Sequence, residues 1–146
     1  MHVGVTHHPT DVWVTQQLRE ASPFGRHPKH LIRDNDTRFG PAFRALAAAT
    51  GVEDVRTAYR APKENAICER LMGSVRRECL DHMLILNERH LLRVLSEYAQ
   101  YYNSARPHQG LHQRIPDPPA SPGSATGAVH ATPVLGGLHH SYARAA

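Results

Sequence analysis

A chain of 146 residues suits one domain, and its 40% apolar content is enough for a core, so the sequence as a whole is not that of a disordered protein. The formal charge of +4 and isoelectric point near 9.4 admit two readings, a solvated surface or a phosphate-rich partner. Two cysteines exclude a disulfide framework, and no apolar run is long enough to span a membrane. The first ten residues carry no apolar signal region, so the expected location is the cytoplasm. Lys29 and Lys63 are the only lysines, so the basic side is almost all arginine, which suits bidentate phosphate contact. A GC-rich genome gives the same arginine and alanine bias.

In chain order, His2 to Thr6 is a short β-prone piece, with Val3 and Val5 on one side. Thr10 is an N-cap candidate for a helix whose inner face is Val14, Leu18 and Ala21. The run Ser22-Pro23-Phe24-Gly25 ends it. Leu31-Ile32 leads into Arg33-Asp34-Asn35-Asp36, a buried strand ending in carboxylates. Gly40-Pro41 opens a second helix, with Phe43, Leu46 and Ala47 inward, and Gly51 closes it. Val55, Thr57 and Tyr59 alternate as a strand. After a loop over Pro62 to Asn65, a long helix is expected from about Asn65 to Met83. Asn87 caps another, in which Leu91, Leu95, Tyr98 and Tyr102 recur at helical spacing. From Pro116 onward Pro, Gly, Ala, Ser and Thr dominate, which predicts a linker or flexible tail. Strands alternating with helices give an α/β class with a mixed sheet.

The candidate chemistry lies in the carboxylates. Asp34 stands at a strand end, and Glu69 stands one turn into the long helix. On that helix Glu69, Gly73, Arg76 and Arg77 share a face, while Ile67, Leu71 and Val75 lie on the roughly opposite one and are expected to pack on the sheet. Carboxylate oxygens are hard ligands for Mg²⁺ or Mn²⁺, and arginines beyond them can hold a DNA backbone. The competing reading of the same residues is a solvated face with weak ion pairs. Asp36 and Glu64 are nearby alternatives that serve equally as turn and cap residues. Cys68 and Cys79 read as buried, reduced thiols: on one helix they would lie roughly 16 Å apart at ~1.5 Å per residue, too far to bridge. The histidine groups His7-His8, His27 with His30, and His139-His140 lack zinc-finger spacing and read as surface or turn residues. Tyr98, Tyr101 and Tyr102 have two readings, helix packing or base stacking.

Three segments carry a family resemblance. Arg33-Asp34-Asn35-Asp36-Thr37-Arg38-Phe39-Gly40 resembles the second-aspartate segment of retroviral-type integrases and bacterial insertion-sequence transposases of the DDE type. Pro62-Lys63-Glu64-Asn65-Ala66-Ile67-Cys68-Glu69-Arg70 resembles their third-ligand segment. Tyr102-Asn103-Ser104-Ala105-Arg106-Pro107-His108-Gln109-Gly110-Leu111 resembles the pattern that closes these cores. Order and spacing agree across all three. The resemblance implies a ribonuclease H-like mixed sheet with flanking helices over residues 1–116, followed by a Pro/Gly/Ala-rich tail over 117–146.

It also implies a function: DNA integration or transposition by metal-dependent strand transfer, with Mg²⁺ or Mn²⁺ as cofactor. The expected partners are transposon-end and target DNA, with possible homo-oligomers. Carried over by position, Asp34 is the second metal ligand and Glu69 the third, Asn65 shapes the loop entering the helix, and Arg76 contacts DNA. Arg70, Arg77 and Arg106 are the further DNA-contact candidates. Asp36 falls where many relatives have glycine, which argues against a ligand role. The family's first aspartate has no counterpart, because Asp11 is the sole aspartate before Asp34 and falls in the first turn of a helix. The expectation is a core lacking its first strands, inactive alone, with an exposed apolar surface and an unpaired sheet edge. The segment Gly136-Gly137-Leu138-His139-His140-Ser141-Tyr142 looks like the natural end of one transposase subgroup. The alternative function is a non-catalytic DNA-binding or oligomerising transposase remnant.

Overall fold

The computed structural model describes residues 1–23, 27–58, 66–118 and 126–145. Contacts divide the chain into two compact units, residues 4–74 with His2, and residues 75–146 with Met1 and Val3.

In the first unit, helix α1 (Asp11–Ala21) starts where expected, with the Trp13 amide donating to Thr10 Oγ1 at 3.2 Å. Strand β1 (His30–Arg33), helix α2 (Pro41–Ala49) and strand β2 (Glu53–Arg56) then form a β-α-β unit. β1 and β2 pair in parallel, with Ile32 opposite Val55, because the helical crossover between them brings the chain back in the same direction. Pro41 sits in the first turn of α2, where its missing amide costs nothing. Leu18, Phe43, Ala47 and Val52 make the core, with Val14, Leu31, Phe39 and Leu46 packed around them. The Phe39 and Phe43 rings meet edge to face at 5.0 Å.

One carboxylate fastens the two helices. Asp11 accepts from the amides of Gly40 at 3.1 Å, Ala42 at 2.9 Å and Phe43 at 2.9 Å, the orphan donors at the start of α2. Gly40 makes this approach possible, since a Cβ there would lie 2.6 Å from Asp11 Oδ2. Burial opposes ionisation of Asp11, but the amides of Ala42, Phe43 and Gly40, with the charge of Arg44, outweigh it and hold the carboxyl below its ordinary range. Asp11 lies in the first turn of α1 as expected, but its carboxylate caps the start of α2 instead.

In the second unit, helix α4 (Glu88–Ser104) begins at Asn87, whose side chain accepts from the His90 amide at 2.9 Å. Its buried face is Val94, Tyr98 and Ala99. Strands β3 (Val129–Val134) and β4 (His139–Arg144) form an antiparallel hairpin through a tight turn at Leu135–Gly137, where Gly136 and Gly137 take positive φ. Leu135 is buried, and its amide donates to the Glu97 carboxylate of α4. Helix α3 (Ala66–Glu78) runs across the division between the two units.

The structure departs from the sequence reading in several places. His2 to Thr6 forms no strand. The long helix expected to Met83 stops at Glu78 and is followed by a 3-10 turn at Leu80–His82. Where composition predicts a flexible tail, residues 129–144 form the hairpin: Val129 pairs with Arg144, Ala131 with Tyr142 and Val134 with His139, and Leu135 anchors it to α4, features that an average over Pro, Gly and Ala conceals. The α/β class holds, but the described residues form two two-stranded sheets, one parallel and one antiparallel, rather than a single mixed sheet. The expected apolar exposure is present: Ile32, 51% exposed, and its register partner Val55, 36% exposed, leave one face of β1–β2 open. Tyr59, Asn65 and the Pro62–Asn65 loop lie outside the described residues.

Phe43→Ala should cost about 3–5 kcal/mol of unfolding free energy, because Phe43 is 1% exposed at the centre of the first unit. Chemical denaturation followed by circular dichroism measures it. A loss below about 1 kcal/mol would mean that this core does not carry the unit.

Candidate functional site

Asp34 directly follows β1 and is exposed. Its Oδ1 accepts from the Asp36 amide at 3.2 Å, an Asx turn that bends the chain away from the strand. Asp36 itself accepts the Arg38 amide at 2.8 Å and pairs with the Arg38 guanidinium at 3.2 Å, a turn residue's role. Asn35 donates to the Thr57 carbonyl at 2.9 Å and ties the end of β1 to the end of β2. A cleft of about 310 Å³ opens beside this strand end, lined among others by Asn35, Asp36, Phe39, Arg44 and Arg56. The exposed Arg56 guanidinium has no hydrogen-bond or ion-pair partner among the described residues.

Behind Asp34 lies a residue that the sequence reading passed over. Arg33 is 6% exposed. Its Nε and Nη2 grip Asp54 of β2 at 2.6 and 2.7 Å, its Nη1 donates to the Asp34 carbonyl at 3.0 Å, and it stacks 4.7 Å from the Phe39 ring centre. The only sequence signal for it is a charge directly after the apolar pair Leu31-Ile32, which must be paired if it is to be buried.

Glu69 lies in the first turn of α3, exposed and with no side-chain partner among the described residues. Arg70, Arg76 and Arg77 are also exposed, and only Arg76 has an ion-pair partner, Asp81 at 3.6 Å. The buried side of the helix keeps Leu71 and Val75 of the expected face but not Ile67. Leu71, Ser74, Val75 and Glu78 form the covered stripe, while Ile67 is 81% exposed. The stripe follows the i, i+3, i+4, i+7 pattern but begins one turn later than Ile67, so the first turn carrying Glu69 is left open. Cys68 is likewise exposed, against the expectation of burial, and only Cys79 is buried.

Arg106 has a different setting from the other arginines. Its Nε and Nη2 bind both oxygens of Glu78 at 2.7 and 2.6 Å, and its guanidinium lies 5.3 Å from the Tyr102 ring centre. Glu78 Oε2 also accepts the Tyr98 hydroxyl at 2.9 Å, and the Glu78 carbonyl meets His139 Nε2 at 2.7 Å. His139 stacks on Tyr101 at 4.7 Å. Burial opposes ionisation of Glu78, but Arg106 and then Tyr98 more than offset it and hold its carboxyl below the ordinary range. Burial and the bond to Glu78 push the Tyr98 hydroxyl well above the ordinary tyrosine value. His108 Nε2 meets the Tyr102 carbonyl at 2.8 Å, and the Asn103 carbonyl accepts the Asp117 amide at 2.9 Å. The segment Tyr102 to Leu111 therefore folds the end of α4 back on itself, and Tyr98, Tyr101 and Tyr102 of α4 are engaged in internal contacts.

Asp34 and Glu69 both belong to the first unit, and both offer open carboxylates whose hard oxygens suit a divalent cation. Among the described residues no three His, Cys, Asp or Glu side chains converge into a metal-binding group. Asp11, the one aspartate before Asp34, is committed to α2.

Residues 50–116 match the integrase core domain family. The chain is 30% identical over 115 residues to an uncharacterized 39.2 kDa protein of insertion element IS476 from Xanthomonas euvesicatoria, covering 78% of this chain and 33% of that protein. It is 32% identical over 129 residues to an uncharacterized 31.7 kDa protein of insertion element IS407 from Burkholderia multivorans, covering 85% of this chain and 45% of that protein. The chain thus spans between a third and a half of the length of these curated relatives. Residues 50–116 are thus similar to the integrase core domain family, and both relatives are proteins of insertion elements. No described helix is long and apolar enough to cross a membrane.

Arg106→Ala should lower stability by about 2 kcal/mol, since it strands a partly buried carboxylate, and should leave DNA affinity nearly unchanged. Denaturation and fluorescence anisotropy on the same sample separate the two effects. A strong loss of DNA affinity at unchanged stability would contradict the internal role.

The depressed carboxyls fix a pH dependence as well. Asp11 and Glu78 have ordinary values of 3.8 and 4.5 and lie lower in the fold, so the unfolded chain binds more protons in that range. Their contribution is fully present above the ordinary values and is lost as pH falls through the folded ones. The melting temperature should drop steeply below about pH 4, and less steeply in Glu78→Gln. A wild-type profile that stays flat there would contradict the shifts.

Proposed function

We propose that this chain is the part of a DNA strand-transfer core that supplies two acidic metal ligands, Asp34 and Glu69. The observation that carries the reading is the integrase core match over 50–116, which contains Glu69 in the exposed first turn of α3. Asp34 stands before that stretch, on a strand end that pairs with β2 inside it.

In this reading Asp34 and Glu69 hold Mg²⁺ or Mn²⁺. A divalent ion held there would supply Lewis-acid stabilisation of the charge on the reacting oxygen. The protein's own contribution is placement. Asn35 and the Asx turn hold the backbone that carries Asp34, and Arg70, Arg76 and Arg77 bind the phosphate backbone beyond Glu69. Arg44 and Arg56 at the cleft add positive charge near Asp34. A third carboxylate is required to hold two ions; Asp11 is committed to α2, and no third ligand joins Asp34 and Glu69 among the described residues, so this chain is expected to be inactive alone.

A second reading, DNA binding without catalysis, is favoured by the absence of a three-ligand group among the described residues. The two readings share the arginines and differ in the metal.

The test joins preprocessed element-end DNA to a target in Mg²⁺ and measures DNA affinity across salt. The chain alone should give no joined product. Its log affinity should fall with log salt, and replacing Arg70, Arg76 and Arg77 by alanine should make that slope shallower by about 2–3. Joined product that vanishes in Asp34→Asn would overturn inactivity in isolation. An affinity indifferent to salt would remove DNA binding from both readings.

A further inference from the structure

We infer that Arg33, with Asp54, is a positioning residue for the Asp34 carboxylate, an inference that rests on the reading of Asp34 as a metal ligand. The observations concern one guanidinium that binds three parts of the first unit at once. Two of its nitrogens take both oxygens of Asp54 on β2, at 2.6 and 2.7 Å. The third donates to the carbonyl of Asp34 itself at 3.0 Å. The plane packs on Phe39 and lies 5.7 Å from the Phe43 ring centre, so α2 closes the remaining side.

A buried arginine is a poor choice for stability alone. Removing a guanidinium and a carboxylate from water is costly, and well-packed apolar residues of the same volume commonly serve as well. What the pair provides, and apolar residues cannot, is direction. The planar fork fixes the rotation of the guanidinium against β2, and the remaining N–H then fixes the peptide plane that follows β1. That peptide plane carries Asp34. From the other side, the Asp36 amide holds Asp34 Oδ1 at 3.2 Å. The residue is therefore exposed, with its backbone carbonyl held by Arg33 and one carboxylate oxygen held by the Asp36 amide. A metal ligand needs this combination, because an exposed carboxylate on a loose strand end samples many orientations and binds a cation weakly. Nothing in a solvated turn requires it.

The test uses the full chain, with Mn²⁺ as the probe and paramagnetic broadening of backbone amide signals as the readout. In wild type, broadening should centre on Asp34 and Asn35 and be lost in Asp34→Asn. The double variant Arg33→Met, Asp54→Leu replaces the ion pair by apolar volume. It should keep a melting temperature within a few degrees of wild type, yet require about tenfold more Mn²⁺ for half-broadening at these amides. Asp54→Asn, which keeps the shape and a hydrogen-bond acceptor, should show the same direction with a smaller change, and it serves if the double variant does not fold. Unchanged Mn²⁺ dependence in a folded variant, with the wild-type effect still lost in Asp34→Asn, overturns the positioning role alone. Equal broadening in wild type and Asp34→Asn overturns the ligand reading and the inference with it.

Discussion

The bidentate contact between Arg106 and Glu78 is the interaction on which the second unit depends. Glu78 closes α3, and through one carboxylate and one carbonyl it meets α4 at Tyr98, the segment after α4 at Arg106, and the hairpin at His139. These are connections between stretches far apart in sequence, each made by a polar group that would be costly to leave unpaired in a partly buried place. Without Glu78, α4, the turn that follows it and β4 lose their common point of attachment. The first unit has a counterpart in Asp11, which joins α1 to α2 with three amide hydrogen bonds. In both units a single carboxylate does what a small apolar core does not: it fixes direction as well as proximity.

These commitments decide which charged groups remain for function. Arg106, Asp11 and Asp36 have internal partners and are accounted for. Asp34, Glu69, Arg70 and Arg77 are exposed and offer their charges outward. The proposed site is thus defined partly by elimination within the structure: Asp34 follows the strand that pairs with β2, and Glu69 lies within the stretch that matches the integrase core. The cleft with Arg44 and Arg56 lies on the same side of the sequence, beside the end of β1.

Much of this was legible in the residues. Thr10, Asn87 and Gly40-Pro41 mark helix starts because capping is local chemistry, and the structure begins helices at each of them. The hairpin was not legible, because its signal is one buried Leu135 and an amide bond to Glu97, and neither alters the average composition of a Pro- and Gly-rich stretch. Ile67 misled, because helical periodicity says which residues share a face but not where along the helix the covering begins. Arg106 belonged to a segment whose pattern points to DNA enzymes, yet its own contact is internal, since a motif marks a family whether its residues build the site or the scaffold. The pairings of Arg33 and Glu78 were not legible, because their partners Asp54 and Arg106 lie 21 and 28 positions away along the chain.

The central claim is that Asp34 and Glu69 face one divalent cation. Fe²⁺ put in place of Mg²⁺, with ascorbate and peroxide, cuts the backbone next to the ion and so maps it directly. The account predicts cuts in two clusters, one at residues 33–36 and one around Glu69, both suppressed by Asp34→Asn and by Glu69→Gln. Cuts at only one of these places, or a pattern that neither substitution changes, would contradict it.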